Sequence, residues 1–144
     1  MEGRFLALDV GTRRIGVAAS APGGMAMPLE TVDARDRGKA ARRLVDLMME
    51  HKSPAVVVGW PLDMQGREGR AVERVEKFMS FVRKEMARRG VEIEIHQWDE
   101  RLTTTAADRM LIEADLSRSR RKEAIDQVAA CHILQGFLEF RERL

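Results

Sequence analysis

A chain of 144 residues that is 44% hydrophobic and 33% charged, with a net charge of +2, has the size and make-up of one globular domain, 1–144, with a densely charged surface. This balance argues against a disordered chain, the single Cys131 rules out a disulfide within the chain, and no apolar run approaches the roughly 18 residues of a membrane-spanning helix. The sequence passes from Met1-Glu2-Gly3-Arg4 straight into an apolar run, so we expect a soluble, cytoplasmic protein with no membrane partner.

Residues 4–10 and 15–21 read as a β-hairpin, and Met25 to Val32 supplies a third strand after the Pro22-Gly23-Gly24 turn. Arg37 to His51 carries apolar residues at Ala40, Ala41, Leu44, Val45, Leu47 and Met48, the period of an amphipathic helix that stops before Ser53-Pro54. Ala55 to Trp60 is a β-branched run suited to a central strand covered on both faces. After the Pro61 to Gly69 loop, Val72, Val75, Phe78, Met79, Val82 and Met86 mark a second helix, and Val91 to Ile95 alternates as a half-buried strand. The periodicity then predicts a helix over Thr103 to Glu113, a basic connection from Leu116 to Arg121, and a long helix from Ala124 to Phe140. An antiparallel meander continued by parallel strands with crossover helices makes an α/β mixed sheet with flanking helices, the element order of a ribonuclease H-like fold.

Asp9 closes the run Phe5-Leu6-Ala7-Leu8 and precedes a tight glycine turn, which delivers a carboxylate to the rim of a sheet. An ionised carboxylate beside a buried strand is costly unless something positive neutralises it, so a metal ion is the natural partner. Glu100 stands where the last strand runs out, the place at which α/β folds hold ligands. Strand neighbours point to opposite faces, so only one of Asp99 and Glu100 faces the site; we choose Glu100 and leave Asp99 solvated or capping a helix. Asp126, among Ile125, Val128, Ala129 and Ala130, is the third candidate; the alternative is an ion pair with a residue from Arg118 to Lys122. Oxygen-only ligation by Asp9, Glu100 and Asp126 selects Mg²⁺ or Mn²⁺, and two such ions about 3.5–4 Å apart suit phosphodiester hydrolysis.

Basic residues cluster at Arg13-Arg14, at Arg35, Arg37, Lys39, Arg42 and Arg43, at Arg88-Arg89 and from Arg118 to Lys122, which suits a polyanionic partner, although each cluster alone could simply solvate a helix face. His51, His96 and His132 show no ligand spacing, and Cys131 fills core space.

Four blocks in order carry a resemblance: Leu8-Asp9-Val10-Gly11-Thr12-Arg13-Arg14-Ile15-Gly16-Val17-Ala18; Val58-Gly59-Trp60-Pro61-Leu62 with Gly66; Asp99-Glu100-Arg101-Leu102-Thr103-Thr104; and Arg121-Lys122 with Ile125-Asp126-Gln127-Val128-Ala129-Ala130. Together they resemble the YqgF (RuvX) family over nearly the whole chain. The resemblance implies a ribonuclease H-like fold related to Holliday junction resolvases, a cytoplasmic nuclease processing the 5′ end of precursor 16S ribosomal RNA, and Asp9, Glu100 and Asp126 as its acidic site. Related resolvases of the RuvC type use four carboxylates and act as dimers, whereas three are assignable here, so a monomer or weak homodimer acting on precursor rRNA, with branched DNA as the alternative, is the expectation. On this reading Asp9 bridges the ions while Glu100 and Asp126 complete their coordination. Arg13, Arg14, Arg101 and Lys122 contact phosphates, with Gly11 and Gly16 permitting close backbone approach. The Pro61 to Gly69 loop could serve as a lid, and Trp60 and Trp98 could stack bases or pack in the core. Two other classes remain open: an actin-like or sugar-kinase phosphate-binding domain, which needs two such domains, and a non-catalytic RNA-binding module.

Overall fold

A computed structural model describes residues 3–102 and 118–142, with the side chains of 102, 118–125 and 142 outside the description. β1 (Leu6–Val10) and β2 (Arg14–Ser20) form the hairpin, closed by the Gly11 N–H donating to the Arg14 carbonyl at 2.9 Å. β3 (Ala26–Asp33) pairs antiparallel with β2, with an irregularity between Val17 and Ala18. β4 (Ala55–Trp60) and β5 (Glu94–Asp99) add parallel strands on the other side of β1, giving one five-stranded sheet in the order β3-β2-β1-β4-β5.

Helix α1 (Arg37–Glu50) starts where the Asp36 carboxylate accepts the Lys39 N–H at 3.0 Å, and α2 (Arg70–Arg89) stops at Gly90, whose φ of 68° is left-handed backbone that glycine adopts without a Cβ penalty. These helices cover the face that carries Leu6, Leu8, Ile15, Val17, Val56 and Val58. The last helix, α3 (Arg118–Glu142), covers the opposite face, where Ala130, Ile133, Leu134 and Leu138 meet Ala7, Ala18 and Val57. The small side chains Ala7 and Ala18 draw α3 close, and its hold is extended by Gln127 Nε2 donating to Thr31 Oγ1 at 3.0 Å and by Gln135 Oε1 accepting the Ala26 N–H at 3.1 Å. Both faces of β4 are therefore buried, as its run of β-branched residues requires.

Two elements shift from their expected bounds: the fifth strand runs Glu94–Asp99 instead of Val91 to Ile95, and the last helix Arg118–Glu142 instead of Ala124 to Phe140. The fifth strand begins at Glu94 rather than Val91, because the Val91 N–H is still engaged by the Met86 carbonyl at 2.8 Å as part of the α2 exit, and pairing with β4 starts at Ala55 opposite Glu94. The expected basic connection is helical from Arg118 onward, so α3 begins six residues before Ala124, in a stretch of Arg, Lys and Glu that favours helix. The helix expected over Thr103 to Glu113 lies outside the described residues.

Candidate active site

Side chains two apart on a strand share a face, so Asp9 follows Ala7 onto the α3 side of the sheet. In the hairpin register Asp9 stands opposite Gly16, and a Cβ built on Gly16 would lie 1.9 Å from the Asp126 carbonyl oxygen. The bare backbone of Gly16 thus seats α3 at Asp126 instead of admitting a phosphate. On the other flank, β5 alternates so that Trp98 joins the α3-side cluster, and Glu100, one step past the strand in a short 3-10 turn (Glu100–Leu102), falls on the same side. A Cβ on Gly59 would lie 2.3 Å from Glu100 Oε1 and 2.6 Å from Ile133 Cδ1, so this glycine at the end of β4 leaves the hollow into which the Glu100 carboxyl folds. Asp9, Gly59 and Glu100 all lie at the carboxyl ends of the parallel strands β1, β4 and β5, or just beyond.

Glu100 and Asp9 meet directly. Burial, then the charge of Asp9 and a hydrogen bond to it, then the charge of Asp99, push the Glu100 carboxyl up to about 7. Two carboxyls in that position share a proton unless a cation takes its place. Asp99 takes the opposite course: it faces away and accepts from Arg101 through the backbone N–H at 3.0 Å, Nε at 3.0 Å and Nη2 at 2.6 Å, which holds its carboxyl below the usual range.

Asp126 makes a different alliance. Its Oδ2 lies 2.8 Å from Arg14 Nε, yet that oxygen, shielded from solvent, accepts no well-directed hydrogen bond, so the contact is one of charge more than of alignment. Among the described residues no group of three or more His, Cys, Asp or Glu side chains is gathered to hold a metal ion. The expected set is therefore met as a close Asp9–Glu100 pair, with Asp126 on the same side of the sheet but turned to Arg14. The pair still fits a hard divalent cation: its donors are carboxylate oxygens, and a cation would relieve the repulsion between the two carboxyls that helps to raise Glu100.

Of the expected phosphate contacts, Arg13 is exposed, Arg14 pairs with Asp126, Arg101 is held by Asp99, and the Lys122 side chain lies outside the described residues. Gly11 serves the hairpin turn, where a Cβ would lie 2.7 Å from the Arg14 carbonyl oxygen. The Pro61 to Gly69 loop is tied to itself: the Asp63 N–H donates to the Arg67 carbonyl, Asp63 Oδ1 accepts the N–H groups of Gln65 and Arg67, and the left-handed Gly66 brings the loop against the Arg101 guanidinium. Trp60 is buried under α2, with Nε1 donating to Glu68 at 3.3 Å, and Trp98 packs on Gly136 and edge-on to Phe137 and Phe140. Both indoles pack against the protein's own side chains. The contribution of Gly59 escaped the reading of individual residues, because a glycine ending a valine run looks like strand punctuation until the partner strand is known.

The sequence pattern of a family described as "RuvX: Holliday junction resolvase" matches residues 3–140. Proteins named "Putative pre-16S rRNA nuclease" are 48% identical in Halalkalibacterium halodurans, covering 94% of this chain and 96% of that protein, and 42% identical in Clostridium tetani with the same coverage. Among solved structures, the chain resembles Thermus thermophilus RuvC in complex with a Holliday junction substrate, with a TM-score of 0.64 at 14% identity over 99% of this chain and 97% of that one. Fowlpox virus resolvase with Holliday junction DNA gives a TM-score of 0.53 at 8% identity over 96% and 98%. These likenesses establish the ribonuclease H-like fold. With a match spanning nearly its whole length and relatives at this identity, the chain belongs to the RuvX (YqgF) family.

Proposed function

We propose that this protein is a divalent-metal-dependent nuclease that hydrolyses phosphodiester bonds at the 5′ end of precursor 16S rRNA in the cytoplasm, as a monomer or weak homodimer. The observation that carries the reading is the Asp9–Glu100 pair: two carboxyls held together at the ends of parallel strands, with Glu100 raised to about 7, form a site whose charge calls for a cation. Names borne by relatives at more than 40% identity supply the substrate class.

Asp9 and Glu100 would hold Mg²⁺ or Mn²⁺, with Asp126 as a further oxygen donor. Such an ion, or a pair, would lower the pKa of bound water and stabilise the departing oxygen. The chain's own residues do the remaining work. The hollow at Gly59 fixes the Glu100 carboxyl, Arg13 offers an exposed cation to a phosphate, and Asp99 orients the Arg101 guanidinium beside Gly66. A proton on the pair competes with the cation, so the site is weaker in acid.

A second reading, resolution of branched DNA, is favoured by the fold likeness to junction-bound resolvases. Offering matched precursor rRNA and four-way DNA junctions with Mg²⁺ or Mn²⁺ separates the two. RNA cleavage lost in Asp9→Ala supports the proposal; junction cutting supports the second reading; binding without cleavage of either would leave a non-catalytic RNA-binding module.

A further inference from the structure

Arg14 ends the hairpin turn at the first position of β2, with its side chain 44% exposed, and its Nε contacts an Asp126 carboxylate that is itself 24% exposed. Gly16, two residues on, seats the α3 backbone at Asp126, so a change of partner by the carboxylate would be a rotation of its side chain on a fixed helix. The partner on offer is the Asp9–Glu100 pair, for Asp9 stands opposite Gly16 in the hairpin. The guanidinium, by contrast, reaches water, where a phosphate can compete for it; a guanidinium binds phosphate oxygens at least as well as a carboxylate.

We propose that Arg14 is a substrate-released latch: without nucleic acid it occupies Asp126, and a substrate phosphate that takes its guanidinium frees Asp126 to join Asp9 and Glu100 around the divalent cation. Arg14 is then a positioning residue that couples phosphate binding to completion of the cation site. The inference rests on the nuclease reading of the Asp9–Glu100 pair and adds to it an order of events, because cation and substrate each strengthen the other's binding through one shared contact.

Two double-mutant cycles test it, both on the full-length protein with melting temperatures confirming that each variant folds. In the first, Mn²⁺ binding without RNA is followed by calorimetry or electron paramagnetic resonance in wild type, Arg14→Ala, Asp126→Asn and the double variant. The latch predicts that Arg14→Ala tightens Mn²⁺ binding by roughly fivefold or more and that this gain disappears in the Asp126→Asn background. In the second, binding of a single-stranded RNA oligonucleotide is measured in EDTA, where no cleavage occurs. Asp126→Asn tightens it by releasing Arg14, and the gain disappears in the Arg14→Ala background.

Additive effects in both cycles would mean that Arg14 and Asp126 act only through their charges, and would overturn the latch while leaving the nuclease reading intact. Mn²⁺ binding that is absent, or indifferent to Asp9→Asn, would overturn both. Arg14→Lys, which keeps the charge without the planar fork, should fall between wild type and Arg14→Ala in the first cycle if the contact itself matters.

Discussion

Glu100 lies where its own charge is least welcome, folded into the hollow at Gly59 and hydrogen-bonded to Asp9. Its carboxyl is raised from 4.5 to about 7, so the folded state favours the protonated form. Stability from this group is complete below the unfolded value of 4.5 and is lost as pH rises through about 7. The metal-free protein should therefore melt lower at about pH 8 than at about pH 5, and Glu100→Gln should remove that difference, with a melting temperature at the higher pH raised by roughly 3–6 °C. Calorimetric melts in EDTA across that range check this; a wild-type curve that matches the variant at every pH would contradict it. Gly59 supplies the matching steric test. A methyl group there would crowd both the Glu100 carboxyl and Ile133, so Gly59→Ala should cost about 1–3 kcal/mol of stability and lower divalent-cation affinity more than it lowers RNA binding. Equal losses in both affinities would point to general unfolding of the site.

At the scale of elements, the site depends on how α3 meets the hairpin. A Cβ at Gly16 would stand 1.9 Å from a backbone oxygen of α3, and no rotamer change relieves a clash with backbone. Gly16→Ala should force the helix off β2 and destabilise the fold by about 3 kcal/mol or more, read by chemical denaturation, whereas Arg14→Ala nearby at the exposed start of β2 should cost less than about 1 kcal/mol. The exit of α2 carries a separate, acid-sensitive tie: Arg88 and Arg89 hydrogen-bond Glu85 and hold its carboxyl down to about 2, and Arg89 also reaches Asp46 on α1. A depressed carboxylate stabilises above its unfolded value of 4.5, and the contribution is lost as pH falls toward about 2. Wild type should exceed Glu85→Gln in melting temperature near neutrality and converge on it in strong acid; parallel curves would contradict the tie.

These elements also show what the sequence makes legible. β4 has the predicted limits because an uninterrupted apolar run centred on three valines between Pro54 and Pro61 leaves little choice of period. β5 was displaced because the α2 exit claims Val91, a hydrogen bond that hydrophobic alternation does not report. Alternation did separate Asp99 from Glu100, since it depends only on the pleat, and the structure sets Glu100 beside Asp9 and Asp99 on Arg101. The alliance of Asp126 with Arg14 was not legible: the two are remote in sequence, and only the docking of α3 on a glycine brings them together. Lys122 and Arg118, the nearer cations in sequence, were the obvious candidates for want of that information.

For the whole molecule, the sheet order β3-β2-β1-β4-β5 explains why the candidate site gathers at one end. Three parallel strands deliver Asp9, Gly59 and Glu100 to the same rim, while α3 crosses the hairpin there and brings Asp126. A site so distributed exists only in the folded chain, so the proposed cation binding would be linked to folding, and excess Mg²⁺ or Mn²⁺ should raise the melting temperature of wild type but not of Asp9→Asn. The most direct test of the account is single-turnover hydrolysis of precursor 16S rRNA against Mg²⁺ or Mn²⁺ concentration for wild type, Asp9→Ala and Glu100→Gln, with RNA binding measured alongside. The account predicts cation-dependent cleavage in wild type, a loss of about a hundredfold or more in both variants, and RNA binding retained or strengthened as the carboxylates are removed. Cleavage that survives in both variants, or that proceeds undiminished in EDTA, would contradict it.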